Sequence, residues 1–209
     1  AVANVTTKSK QTIPHFYVSV DIDMTNSVEA RKQLNEKLAG FVKISINDLI
    51  VKACAQAIQT YPSFNSVYVE GKIRTAEHIN IGIAIALDQG LIMPAITNCE
   101  SKSVPDLAIA SKDLVDRANQ GVLKSDEYSS GTFSVSNLGM FNVDNFIAII
   151  YPGQSAVLAV GSIRSKPVVD DGKIAIRDIM HATVSVDHRV SDGAEAAKFI
   201  GEVKHSLEN

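Results

Sequence analysis

Between Asn145 and Ile163 the chain carries no charged residue. A run of that length can cross a bilayer as a helix, so it decides first whether the chain folds in lipid or in water. Tyr151-Pro152-Gly153-Gln154 breaks it midway, and Pro-Gly marks a turn rather than the centre of a spanning helix. The flanking halves, Phe146-Ile147-Ala148-Ile149-Ile150 and Ala156-Val157-Leu158-Ala159-Val160, are short apolar runs of the kind buried strands show. No membrane span is expected.

The chain has 209 residues, of which 45% are hydrophobic. That suits one cooperative core, with roughly 70% of the unfolded surface buried and no need for a disulfide or metal staple. Twenty Lys and Arg against 23 Asp and Glu give a net charge of −3, with no basic run. This argues against phosphate-neutralising contact with nucleic acid, and the absence of Trp argues against a base-stacking platform. Cys54 and Cys99 form no C-x-x-C pair; Cys54 reads as a small buried hydrophobe, and the compartment as a reducing one. The N-terminus has no signal-peptide-like apolar stretch.

Periodicity sets out the remaining elements. The first dozen residues are polar and expected to be extended, and a strand covers 15–23. Met24-Thr25-Asn26-Ser27 caps a helix running to Gly40, and Ser45 or Asn47 starts another that Pro62 ends. Strands are expected near 66–70, 79–87 and, after Asp88-Gln89-Gly90, at 91–97. Ser103-Val104-Pro105-Asp106 opens a third helix with Leu107, Ala110, Leu114 and Ala118 as its apolar stripe. Strands at 131–137, 146–150, 155–163 and 174–186 precede a last helix over about 193–207. Helices and strands alternate too irregularly for a βαβ repeat, so the fold class is α+β.

Two segments can carry chemistry. In His181-Ala182-Thr183-Val184-Ser185-Val186-Asp187-His188-Arg189-Val190-Ser191-Asp192-Gly193, an alternating strand ends in a polar cluster at a helix start. A His held there is rigid and can still reach a cleft. On spacing alone a capping cluster explains it equally well, with Asp192 at the helix start and Arg189 pairing a carboxylate. The second segment, Gly131-Thr132-Phe133-Ser134-Val135-Ser136-Asn137-Leu138-Gly139-Met140-Phe141, is a strand with alternating hydroxyls, which by themselves read as solvent-facing. No G-x-S-x-G elbow of a serine hydrolase is present. His181, Asp187 and His188 make no metal site, because neighbours on a strand face opposite sides; no metal is expected.

With Ser9-Lys10-Gln11-Thr12-Ile13-Pro14-His15-Phe16, Asp21-Ile22-Asp23-Met24, Lys43-Ile44-Ser45-Ile46-Asn47-Asp48, Asn80-Ile81-Gly82-Ile83-Ala84 and Gly90-Leu91-Ile92-Met93-Pro94, these two segments complete an ordered set. The set resembles the catalytic domain of the dihydrolipoyl acyltransferases of 2-oxo acid dehydrogenase complexes, related in fold to chloramphenicol acetyltransferase. The resemblance implies a mixed sheet with flanking helices, one catalytic domain over 1–209 and an N-terminal arm over about 1–14. Lipoyl and peripheral-subunit-binding domains would lie outside this chain.

The resemblance also implies roles. His188 would be the general base. A thiol of pKa ~8.5 must lose its proton to attack a thioester, and an imidazole of pKa ~6.5 can accept it at neutral pH. Ser136 would donate to the tetrahedral oxyanion, and Asp192 would organise the His188 loop. Coenzyme A, or acetyl-coenzyme A in the reverse direction, would meet Arg31, Ser45, Ser136, Asn137 and Gly161; the other substrate is a lipoyl group on a separate domain. A polar contact of the family falls on Ala86 and is missing. Family members form homotrimers, His from one subunit and Ser from the next, that build 24- or 60-subunit cores. Their partners are the lipoyl domain and the 2-oxo acid dehydrogenase and dihydrolipoyl dehydrogenase components, in bacterial cytoplasm or mitochondrial matrix. The chain begins inside the usual arm and stops at Ser206-Leu207-Glu208-Asn209, short of the family's apolar tail, which bears on assembly more than on chemistry. Ser136 to Phe141 with Ala148-Ile149-Ile150 looks most like the acetyl-transferring, pyruvate-type members. The alternatives are a succinyl or branched acyl group, or a non-catalytic component of the same complex.

Overall fold

A computed structural model describes residues 2–87 and 90–209. The expected turn residues Asp88 and Gln89 lie outside the described residues. Helix α1 (Val2–Thr12) leads into strand β1 (His15–Asp23), then helices α2 (Thr25–Lys37) and α3 (Ile46–Thr60). A ribbon of β2 (Ser66–Val69) and β3 (Lys72–Thr75) follows, then β4 (Ile81–Ile83), β5 (Ile85–Leu87), β6 (Gly90–Ile92) and β7 (Ala95–Ile96). Helix α4 (Val104–Gln120) precedes β8 (Phe133–Asn137), β9 (Ala156–Val160), β10 (Arg164–Asp170), β11 (Lys173–Asp187) and α5 (Gly193–Glu208).

Six strands form the sheet path β1-β11-β9-β8-β4-β7, and β10 pairs with the outer half of β11. Strand β8 runs parallel to β4 and β9, while the other pairs are antiparallel, so the sheet is mixed. One face is apolar. Val184, Val186, Leu158, Val160, Phe133 and Val135 share a buried core with Ile50, Cys54 and Ile58 of α3 and Phe199, Ile200 and Val203 of α5. Phe199 stacks on Phe64 at 3.9 Å, and each such large side chain contributes about 1.5–3 kcal/mol by leaving water. The two cysteines are buried with this core, and burial pushes the Cys99 thiol up to about 11 and Cys54 higher still. Neither is a nucleophile at neutral pH.

The opposite face carries the hydroxyls, and they do not face solvent. Ser134, Thr183 and Ser185 are buried. Ser134 donates to Gln154 Oε1 at 2.6 Å, Thr183 bonds Ser19, and Ser185 donates to the Ala148 carbonyl at 2.7 Å. The segment lying over this face is 146–150, and here the structure corrects an expectation. It pairs with no strand among the described residues, and its backbone is bonded to side chains instead. Ile150 N donates to His15 Nε2 and its carbonyl accepts from Ser9 Oγ, so Ile147 and Ile149 point outward while Ile150 is buried. Burial holds the His15 imidazole below its ordinary pKa, which suits the neutral acceptor this contact needs.

The N-terminal dozen residues are the second correction: they are helical, not extended. Their polar, Thr- and Val-containing sequence gives no apolar stripe, and tertiary contact through buried Ser9 supplies what propensity lacks. Two strands were not anticipated. Strand β3 is exposed along its length, and β10 contains Pro167, which only an edge strand tolerates. The expected strand 79–87 divides at Ala84 and that at 91–97 at Met93-Pro94. Helix α2 starts from Met24 without a side-chain cap; Asp23 Oδ1 accepts from Thr25 instead.

A bidentate pair outside the sheet gives a pH prediction. Arg117 clamps Glu127 at 2.6 and 2.7 Å and holds its carboxyl at about 2, below the usual 4.5. A depressed carboxylate stabilises the fold above its unfolded pKa and loses that contribution as pH falls toward the folded value. Glu127→Gln is therefore expected to lower the urea midpoint at pH 7. The gap from wild type should close between pH 4.5 and 2, and urea titrations across that range check it.

Candidate active site

His188 sits in the turn between β11 and α5, held by its backbone and free at its ring. Its N–H donates to the Pro14 carbonyl at 3.0 Å, and the exposed imidazole leans on Phe16 with centroids 4.5 Å apart. The Asp187 peptide N–H donates to the Ser155 carbonyl, and the Asp187 carbonyl accepts from Val190 and Ser191, closing the turn. The buried Asp187 carboxylate accepts from Arg189 Nε at 2.9 Å and Nη2 at 2.7 Å, and also from the Arg189 backbone. The capping reading of this cluster holds for its neighbours and leaves the His ring unassigned to structure.

Asp192 is the N-cap of α5, its Oδ1 accepting from Ala194 and Glu195 at 2.9 Å each. The Glu195 N–H holds this carboxyl below the usual range, with the Ala194 N–H, His188 and Lys198 adding to the effect. Glu195 then bridges Ser191 Oγ and Ser63 Oγ, tying the far side of the turn to the start of the β2–β3 ribbon. Asn caps a helix as well as Asp does. Asp192→Asn is thus expected to keep both melting temperature and the rate at which the protein works, whereas Asp192→Ala lowers both. Thermal melts and initial rates on the two variants check this.

Ser136 lies elsewhere. It stands near the end of β8 in register with Ala159, which pairs with Thr183, whereas His188 follows five residues after Thr183. With ~3.3 Å per residue and ~4.8 Å per strand, the two side chains are separated by roughly 15 Å or more within one chain. The structure does not bring them together. Ser136 makes no side-chain hydrogen bond among the described residues, unlike Ser134, and it lines two clefts at once. The larger, of about 600 Å³, is bounded by Ser45, Asn47, Ala86, Ser111, Asn119 and Asn137 among others. The smaller, of about 280 Å³, is apolar, with Leu91, Met93, Ile147, Ile149 and Val157 in its wall.

Ser45, Asn137 and Gly161 meet in a third cleft that adjoins the large one through Ser45, Asn47 and Asn137. Their present commitments differ. Ser45 Oγ donates to Asp48 Oδ2 at 2.7 Å and accepts from the Asp48 N–H, so its one proton already serves the cap of α3. Asn137 Oδ1 accepts from Gly139 N–H, leaving its amide turned toward Asn47 at 3.5 Å. A Cβ on Gly161 would lie 2.0 Å from the Asp144 carbonyl oxygen, so glycine is demanded there by chain packing alone. Arg31, on α2, lines none of these clefts; its Nε is buried without a hydrogen-bond partner among the described residues. Sequence reasoning passed over Asn47, Ser111 and Asn119. Ser111 and Asn119 lie beside the apolar stripe of α4, two turns apart on one face, where they reach the cleft wall.

A family profile described as "2-oxoacid dehydrogenases acyltransferase (catalytic domain)" matches residues 1–209. The dihydrolipoyllysine-residue acetyltransferase component of the pyruvate dehydrogenase complex of Zymomonas mobilis is 40% identical over 99% of this chain and 47% of its own length. The chain spans about half the length of the curated relatives it matches. Among solved structures, an Azotobacter vinelandii dihydrolipoamide acetyltransferase superimposes with TM-score 0.94 at 30% identity, covering 100% of this chain and 87% of that one. That protein was examined for the part a serine, a histidine and an asparagine play in its catalytic mechanism. The cubic core of a pyruvate dehydrogenase multienzyme complex gives TM-score 0.93 at 30% identity, with 100% and 87% covered. Chloramphenicol acetyltransferase, 12% identical at TM-score 0.61 over 98% of this chain and 94% of its own, shows the shared fold, a mixed sheet with flanking helices. With a profile spanning its whole length and relatives of this identity, the chain belongs to the 2-oxoacid dehydrogenase acyltransferase family, as its catalytic domain.

Proposed function

We propose that the chain moves an acetyl group between dihydrolipoamide and coenzyme A, as the acyltransferase core of a pyruvate dehydrogenase complex. The observation that carries this reading is the division of labour along one sheet. An exposed His ring on a braced turn stands at one end, and an unpartnered Ser hydroxyl at the mouth of two clefts stands at the other. Thiol-to-thioester transfer needs a base for the thiol proton and a donor for the oxyanion, and these two side chains supply both chemistries.

In the proposed sequence His188 accepts the proton of the attacking thiol as sulfur bonds to the thioester carbonyl carbon. The carbonyl oxygen takes the displaced electron pair, and Ser136 donates to it. Collapse of the tetrahedral centre breaks the original carbon–sulfur bond, and imidazolium returns the proton to the leaving thiolate. No acyl-enzyme forms. Because roughly 15 Å or more separates the two groups within a chain, a second copy must complete each site. The reading therefore includes a homotrimer with His188 from one protomer facing Ser136 of the next, within a 24- or 60-subunit core that receives lipoyl domains. Coenzyme A lies along the clefts at Ser45, Asn137, Ser136 and Gly161, Arg31 serving its phosphate end. Ser45 offers a lone pair there and no spare proton. The 2-oxo acid dehydrogenase and dihydrolipoyl dehydrogenase components are proposed partners, in bacterial cytoplasm or mitochondrial matrix; no helix among the described residues is long and apolar enough to cross a membrane.

The direct test follows acetyl transfer from acetyl-coenzyme A to dihydrolipoamide. Saturable transfer supports the reading. Turnover with succinyl- or a branched acyl-coenzyme A in its place moves it to another member of the family, and no transfer from any of them makes the chain a structural component.

A further inference from the structure

The β2–β3 ribbon stands apart from the main sheet, and the acyl-transfer chemistry makes no use of it. Its strand β2 nevertheless places the Tyr68 ring against the guanidinium of Arg189, 4.5 Å from the ring centroid. We infer that Tyr68 is a positioning residue for His188, acting through Arg189. The inference rests on the acyl-transfer reading of His188 proposed above.

The geometry runs in one direction. Arg189 grips Asp187 through both Nε and Nη2, and its own N–H bonds the same carboxylate. The residues immediately before and after His188 are thereby locked to each other. Asp187 is buried and cannot shift, but the Arg189 side chain is about a third exposed, so the brace has one soft member. A flexible guanidinium in water swings off a carboxylate easily. Tyr68 closes that freedom by setting its ring under the Arg189 Cζ while Nε and Nη2 serve Asp187, an arrangement Arg suits and Lys does not. The ribbon itself is anchored at its base, where Asn65 Nδ2 donates to the carbonyls of Ala76 and His78 and Ser66 Oγ bonds Thr75 Oγ1. A ring on that anchored ribbon therefore restrains the peptide units that aim the imidazole. Tyr68 lines none of the three clefts, so its effect on substrate affinity is expected to be small.

The test compares wild type, Tyr68→Leu and Tyr68→Phe by steady-state acetyl transfer, with deuterium exchange of the 187–191 amides followed by mass spectrometry. Tyr68→Leu is expected to lower kcat about tenfold with KM within about twofold, and to speed exchange of the turn about tenfold. Tyr68→Phe keeps the ring face and is expected to match wild type in both. Unchanged kcat in Tyr68→Leu overturns the inference even if exchange quickens, since Tyr68 then only stabilises the surface. Unchanged exchange overturns it too. Should Tyr68→Leu fail to fold, Arg189→Lys, which keeps the charge and loses the two-pronged grip, is expected to give the same kcat and exchange signature. If the wild-type protein transfers no acetyl group, the acyl-transfer reading fails by itself. Exchange then decides whether Tyr68 holds the turn, with identical rates in wild type and Tyr68→Leu counting against it.

Discussion

His188→Ala is expected to lower acetyl transfer by about 10²–10⁴-fold, the range that removal of a positioned general base produces. The loss should fall on kcat. The imidazole is exposed and, among the described residues, its one ring contact is Phe16, while the turn around it is held by backbone bonds to Pro14 and Ser155 and by the Asp187–Arg189 pair. Removing the ring takes away a proton acceptor and almost no packing, so melting temperature should stay near wild type. Steady-state rates and a thermal melt on the same preparation check both halves. A variant that keeps wild-type kcat would remove His188 from the mechanism, whatever its melting temperature.

The second large effect arises from the distance between the two ends of the sheet. Ser136→Ala is expected to cost about 10²–10³ in rate, as the loss of one oxyanion donor does. Two inactive proteins then make an active one. If His188 of one protomer works with Ser136 of its neighbour, trimers reassembled from equal amounts of His188→Ala and Ser136→Ala contain intact sites where an unaltered His faces an unaltered Ser. Random mixing gives that pairing in about a quarter of sites. Unfolding the two variants together, refolding them as a mixture and measuring the rate tests this. Recovery to about a quarter of wild type supports the shared site, and a mixture no faster than its components would require both groups to act from one chain.

The pattern strand, polar cluster, helix was plain along 181–193 because alternation and capping are local, and the capping roles of Asp192 and Arg189 emerge as read. The brace on Arg189 was not legible, since nothing at Tyr68 marks a partner some 120 residues downstream. The same limit applies at 146–150, where a continuous short apolar run reads as a buried strand. Its backbone groups are bonded to Ser9, His15 and Ser185 side chains, and no local pattern reports that a ladder partner is missing. Helix α1 escaped notice for the complementary reason: a segment with little apolar surface of its own is ordered by what it touches. At the candidate site, the resemblance made Ser45 a coenzyme A contact and the local pattern made Ser45 or Asn47 a helix start; the structure makes Ser45 the cap and engages its proton with Asp48.

Strand β1 pairs along its full length with β11, so that Ser19 bonds Thr183 across 164 residues of chain. During synthesis the ribosome releases the first of these strands long before the second, and growth at about 5–20 residues per second separates the two events by many seconds. For that interval β1 has no ladder to join, and α5, which follows β11 in the chain, has yet to be made. The turn bearing His188, which hangs from Pro14 at the head of β1, is among the last parts to acquire its shape. Nascent chains of this kind must be kept from pairing their early strands with one another until β11 arrives to fill the gap beside β1.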